Sequence, residues 1–148
     1  MNILNTPHIT VVITTRNRGD ILCNALESIF ANDYKEFRVI IVDQSTDEIT
    51  KNSIQKYINN NNVTYIKSDE VGYSRGKNIG ISNCNTELIA ITDDDCIVPK
   101  NWIKHMVDAF REDDEIGIVF GNVLPGEYDE NLGFIPTYIR EKSYIAHS

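Results

Sequence analysis

The sequence is poor in most of what would mark a secreted, membrane-spanning or nucleic-acid-binding chain. Its three cysteines, Cys23, Cys84 and Cys96, are widely spaced and odd in number, and they form no CxxC pair or zinc pattern. A reduced cytoplasmic chain is expected, free or at the cytoplasmic face of a membrane if residues outside this chain carry it there. No apolar run exceeds strand length, so nothing here is long enough to span a bilayer. The start, MNILNTPHIT, lacks the basic opening and apolar stretch of a signal peptide. Basic residues are scarce: 14 Lys and Arg stand against 22 Asp and Glu, for a net charge of -8. That balance excludes a general nucleic-acid or anionic-membrane binder, since both need a basic surface. It still permits a phosphorylated ligand, provided that arginines or a metal supply a local cation. The three histidines, His8, His105 and His147, show no ligand spacing, and His105 is expected on an exposed helix face. No repeat or linker interrupts the chain, and the asparagine run at 59–62 is short enough to be a turn.

What is present is an ordinary globular composition, 41% hydrophobic and 24% charged over 148 residues. That length suits one domain with a substantial core. Two periodicities alternate along it. Residues 9–14, ITVVIT, form a β-branched run of strand length, followed by a helical stripe of Ile21, Leu22, Ala25, Leu26, Ile29 and Phe30. A second strand is predicted over 37–42, closed by Asp43, then a weaker helix over 47–58 with Ile54, Tyr57 and Ile58 on one face. Further strands are predicted over 63–66 and 88–91, separated by a stretch containing Gly72, Gly76 and Gly80 that leads into a short helix. Pro99 suits a first helical turn, and Trp102, Ile103, Met106, Val107 and Phe110 make the next buried stripe. Residues 116–123 read as a fifth strand. Nearly continuous apolar strands alternating with helices indicate an α/β fold of three layers, α/β/α, around a mostly parallel sheet. The core is expected over 9–123 of a single domain, with 124–148 as a tail.

In such a sheet, ligands bind beyond the carboxyl ends of the strands, near a reversal of strand order. The unusual polar residues lie at those ends: Thr14, Thr15, Arg16, Asn17 and Arg18 after the first strand, Asp43, Gln44, Ser45, Thr46 and Asp47 after the second. The loop from Ser68 to Arg75 follows the third, and Asp93, Asp94 and Asp95 follow the fourth. If the chain stays extended through the triplet, Asp93 and Asp95 project to one side, about 6 to 7 Å apart at Cα, and Asp94 faces away. Two carboxylates on one side repel unless a cation joins them, and hard divalent ions prefer oxygen ligands. The plainer alternative is a solvated acidic turn, or caps for the helix near Pro99. Asp43 has the same two readings, as a ligand contact or a cap, and Ser45, Thr46 and Asp47 suit capping. Of the arginines, Arg75 is the preferred phosphate contact, ahead of Arg16 and Arg18. Tyr73 is equally suited to lining the ligand loop or to packing. Trp102 and the cysteines read as structural.

With these residues placed, the chain resembles family 2 glycosyltransferases of the GT-A fold, from about Ile9 to Phe120. The family's opening strand and turn correspond to Val12-Ile13-Thr14-Thr15-Arg16-Asn17-Arg18, and its second-strand signature to Val42-Asp43-Gln44-Ser45-Thr46-Asp47. Its glycine-containing segment corresponds to Gly72-Tyr73-Ser74-Arg75-Gly76-Lys77-Asn78-Ile79-Gly80. Its DXD motif, followed by Pro and Trp, corresponds to Asp93-Asp94-Asp95, Pro99 and Trp102. The resemblance implies transfer of a sugar from a nucleotide-diphospho-sugar, a UDP-sugar first among them, with inversion and with Mn2+ or Mg2+. It implies Thr14, Arg16 and Asp43 around base and ribose, Arg75 near base or diphosphate, Asp93 on ribose or metal, and Asp95 on the metal. Thr15, Asn17, Ser45, Asn78 and Asp94 complete the expected donor-binding set. Arg16 stands where an aromatic is frequent, and Gln44 where a second acidic residue is frequent.

Family members generally carry an acceptor-binding second half with an acidic general base, needed to take the proton of the attacking hydroxyl. That base is expected outside this chain, because Glu127, Asp129, Glu130 and Glu141 are candidates by charge alone. A rival reading is therefore a non-catalytic nucleotide-sugar-binding fragment or subunit. A sheet that stops short would also expose apolar surface and could self-associate. A nucleotidyltransferase would want a Gly-rich phosphate loop after the first strand, and a HAD-type phosphatase its Asp-x-Asp there. Neither is present.

Overall fold

The computed structural model describes residues 9–135 and 137–142. The expectations that fall on His8 and His147 lie outside them. The chain divides into two compact units, Met1–Val107 and Asp108–Ser148.

The first unit holds a four-stranded parallel sheet in the order β3-β2-β1-β4, formed by β1 (Ile9–Thr15), β2 (Phe37–Asp43), β3 (Val63–Lys67) and β4 (Leu88–Asp93). β1 and β2 are apolar on both faces and buried throughout apart from Thr14 and Arg38, which are partly covered, as strands between two helical layers should be. One face packs against α1 (Gly19–Phe30), the pair α2 (Ile49–Ser53) and α3 (Gln55–Ile58), and α5 (Trp102–Glu112). Val11, Ile13, Val39 and Ile41 meet Leu22, Leu26, Ile29, Ile54, Ile103 and Val107 there. The other face, Val12, Ile40 and Val42, is covered by α4 (Tyr73–Ser82) through Ile79. α4 approaches closely because it presents glycines: a Cβ on Gly80 would overlap Val12 Cγ1, and one on Gly76 would lie 2.8 Å from Thr14 Cγ2.

Order and register position the candidate site. From β1 the chain steps to β2 and β3 on one side, then returns to place β4 on the other, so the reversal lies between β1 and β4. Thr14 pairs with Val42 on one side and Asp93 on the other, and Thr15 pairs with Asp43, so three strand ends finish level.

Several expectations are corrected. The weaker helix over 47–58 forms as two short pieces that meet at Ile54, whose φ of -101° departs from helical geometry while its side chain is fully buried. α5 begins at Trp102 rather than at Pro99, whose carbonyl accepts from the Trp102 amide at 3.0 Å. The fifth strand over 116–123 does not form. A strand needs a ladder partner and a covered face, yet Ile118 and Phe120 are exposed, and the segment makes one isolated antiparallel bridge, Val123 with Tyr138. The first compact unit closes at Val107. Trp102 is partly buried against the core, and His105 is exposed, as expected.

Candidate functional site

A cleft of about 330 Å3 opens at the strand-order reversal, lined by Thr14, Thr15, Arg16, Arg18, Gln44, Val71, Gly72, Tyr73 and the three aspartates. The triplet does not continue the strand. β4 ends at Asp93 and the chain turns, with the Cys96 amide 3.4 Å from the Asp93 carbonyl. Asp93 and Asp95 still bring carboxylate oxygens within 4.8 Å of each other, but Asp94 does not face away from the site: it lines the same cleft.

Asp94 is instead the buried member. Its Oδ2 accepts from the Thr15 hydroxyl at 2.7 Å and its Oδ1 from Arg18 Nη1 at 2.8 Å. Burial pushes its carboxyl above the ordinary value, opposed by the Thr15 hydrogen bond and the Arg18 charge, while Asp95 and Asp93 add to the rise. Arg18 also donates from Nη2 to Asp95 Oδ2 at 3.1 Å, so one guanidinium spans two carboxylates. Asp93 is held from α4: Lys77 Nζ lies 2.8 Å from its Oδ1, and the Tyr73 hydroxyl donates to it at 3.0 Å. Burial works against the Lys77 charge, but the bonds to Asp93 and Tyr73 prevail and raise its pKa. Three negative charges thus face two positive ones. Asp93, Asp95 and Cys96 offer ligand atoms within 4.8 Å of one another, which makes them the metal-competent group among the described residues.

The remaining expected residues divide. Thr14, Thr15 and Arg16 line the cleft; Asn17, Asp43, Ser45, Arg75 and Asn78 do not. Asp43 is fully buried and occupied, accepting from the Ser45 amide at 2.8 Å and the Tyr65 hydroxyl at 2.7 Å, with Lys67 Nζ 3.7 Å away. Burial, followed by the bond to Asp43, pushes the Tyr65 phenol up. Asn17, at φ 56°, donates its amide to Ser45 Oγ at 2.8 Å and accepts the Thr46 amide on Oδ1 at 2.9 Å. Asn17 and Ser45 therefore clasp the loops after β1 and β2 together. Arg75 and Asn78 are exposed on α4, and the arginine that reaches the carboxylates is Arg18.

The sequence profile of the family described as "Glycosyl transferase family 2" matches residues 10–145. The chain belongs to glycosyl transferase family 2. A similar family 2 protein is the poly-beta-1,6-N-acetyl-D-glucosamine synthase of Staphylococcus aureus, 26% identical over 130 residues, which are 87% of this chain and 32% of that protein. This family 2 chain thus spans about a third of the length of the curated relatives it matches. Among solved structures, S. aureus TarS 1-349 in complex with UDP-GlcNAc superimposes with a TM-score of 0.64 at 25% identity, over 70% of this chain and 31% of that one. The mannosyltransferase PcManGT from Pyrobaculum calidifontis, in complex with GDP-Man and Mn2+, gives 0.64 at 24% identity, over 71% and 32% respectively. The parallel sheet and its helical layers are the GT-A architecture of these glycosyltransferases.

Three further residues stand at the cleft or against its aspartates: Gln44, Lys77 and Cys96. Lys77 lies one turn into the helix that begins at Tyr73, which lets it reach Asp93. Gln44 stands in the polar run after the second strand and departs from the family pattern, the two signals available for it. Cys96 reads as structural in the sequence, and its place directly after an acidic triplet is the available signal.

Proposed function

We propose that this chain is the donor-binding part of a glycosyltransferase that moves a sugar from a nucleotide-diphospho-sugar, a UDP-sugar first, to an acceptor hydroxyl with inversion, using Mn2+ or Mg2+. The observation that carries this is the convergence of Asp93, Asp94 and Asp95 with Thr14, Thr15, Arg16 and Arg18 on one cleft at the strand-order reversal. The donor set fits a hard cation: Asp93 and Asp95 would hold it, while the soft Cys96 thiol is a poor ligand for Mn2+ or Mg2+. Once bound, such an ion supplies Lewis-acid stabilisation of the charge on a departing diphosphate.

The protein groups have separable tasks. Thr15 and Arg18 keep Asp94 oriented, and Arg18 also steadies Asp95. Arg16, exposed on the cleft, presents its guanidinium to a phosphate. Asp43, Ser45 and Asn17 act beneath the site by fixing its loops, and the unpaired cysteines suit a reducing, cytoplasmic setting. Among the described residues no helix is long and apolar enough to cross a membrane.

A second reading, a donor-binding subunit that does not itself transfer, draws on the acidic candidates for the base. Glu127, Asp129, Glu130 and Glu141 all lie in the second unit and are exposed, and the Asn131 amide and side chain hold the Asp129 carboxyl below its ordinary range. Sugar transfer or donor hydrolysis by this chain would remove that reading.

Thermal melting against a panel of nucleoside diphosphates, with Mn2+ or with chelator, tests the site. Ligand at a hundredfold above Kd should stabilise by about 2.7 kcal/mol. Asp95→Asn should abolish the metal dependence while leaving the fold intact. Absence of a metal-dependent shift with every nucleotide would refute the proposal.

A further inference from the structure

Gln44 is almost fully buried at the wall of the cleft, and its side chain is committed entirely to the loop that follows β3. Its Nε2 donates to the Glu70 carbonyl at 2.5 Å and to the Gly72 carbonyl at 3.1 Å, while its Oε1 accepts the Gly72 amide at 3.4 Å. Its own amide donates to the Thr15 carbonyl at 2.9 Å. One residue therefore ties the ends of β1 and β2 to the loop entering α4. The amide is also confined, since a Cβ on Gly76 would stand 3.1 Å from Nε2.

A carboxylate could not do this work. It has no donor, and in this place it would set negative charge against two carbonyl oxygens. The loop so held ends at Tyr73, whose hydroxyl donates to Asp93 and accepts from Lys77 Nζ at 2.7 Å. The path runs from Gln44 through Gly72 to Tyr73, and from there to a carboxylate of the metal-competent group.

We infer that Gln44 is a positioning residue whose side-chain amide latches residues 70–72 so that Tyr73 holds Asp93 in place for the diphosphate end of a nucleotide ligand. The inference rests on the proposed function for its ligand; the latch itself does not depend on it. Gln44 touches no ligand in this role. It acts through Tyr73.

The test compares Gln44→Met, which keeps length and removes the hydrogen bonds, with Tyr73→Phe and the double variant. Two readouts are taken. The first is amide hydrogen exchange over residues 69–73 without ligand, which should accelerate at least tenfold in Gln44→Met. The second is the Kd for UDP in Mn2+, which should rise about tenfold in Gln44→Met for the loss of two or three hydrogen bonds. In the Tyr73→Phe background the same change should cost less than about threefold, because coupled groups are non-additive.

A residue with a merely structural role would give additive losses, and additivity overturns the inference, as does an unchanged Kd beside a binding wild type. If the wild type binds no nucleotide, the proposed function fails instead. Hydrogen exchange then decides the latch alone: unchanged exchange rejects it and accelerated exchange retains it.

Discussion

Arg18 lies 2.8 Å from Asp94, joining the first loop of the sheet to the turn that ends its last strand across 76 residues of sequence. With Thr15 on the other carboxylate oxygen, Asp94 becomes the buried pivot of the acidic triplet. On either side of it Asp93 is partly exposed and Asp95 exposed.

Asp94 should impose a pH dependence on stability. Its folded pKa is raised above the ordinary 3.8, first by burial, so its stabilising contribution is fully present below that value. The contribution is lost as pH rises through the higher folded value. Urea denaturation from pH 3.5 to 7 should show wild type losing stability relative to Asp94→Asn over that window. A constant difference between the two would show that the carboxyl is not perturbed.

Lys77 is paired with the Asp93 oxygen that, under the proposed function, a divalent cation would take. Lys77→Met should therefore strengthen Mn2+ binding in the absence of nucleotide by severalfold, since one of the two cations facing the triplet is gone. Titration calorimetry with Mn2+ alone measures this. Weaker Mn2+ binding would mean that Lys77 organises Asp93 rather than competing for it.

Gly80 permits the close approach of α4 to the sheet. Gly80→Ala would drive a methyl into Val12, and overpacking of this kind costs about 1 to 3 kcal/mol. Chemical denaturation should register the loss, offset in part by the better helix propensity of alanine. An unchanged midpoint would mean that α4 can shift outward freely.

Tyr65→Phe removes the hydroxyl that Asp43 Oδ2 accepts from, leaving a fully buried oxygen with Lys67 3.7 Å away. A buried acceptor deprived of its partner costs about 1 to 3 kcal/mol. The same denaturation experiment applies. Loss of nucleotide affinity without loss of stability would move Asp43 from the scaffold to the ligand.

Much of this protein is determined by its sequence alone. Runs such as ITVVITT in β1 and FRVIIVD in β2 are long, apolar on both faces and closed by polar residues, so strand identity, parallel pairing and the rim of polar loops all follow from local chemistry. Four motifs in order were enough to point to the family. Segment 116–123 has the same local character and yet forms no ladder, because pairing and cover come from elsewhere in space. The division of labour at the rim was also a tertiary decision. Asp43 and Asp93 look alike in sequence, each a carboxylate closing an apolar strand. Tyr65, Lys67 and the Ser45 amide enclose the first, and the turn after β4 leaves the second open beside Lys77. Which of two like charges is buried depends on the partners that distant segments bring to it, and no local pattern encodes those.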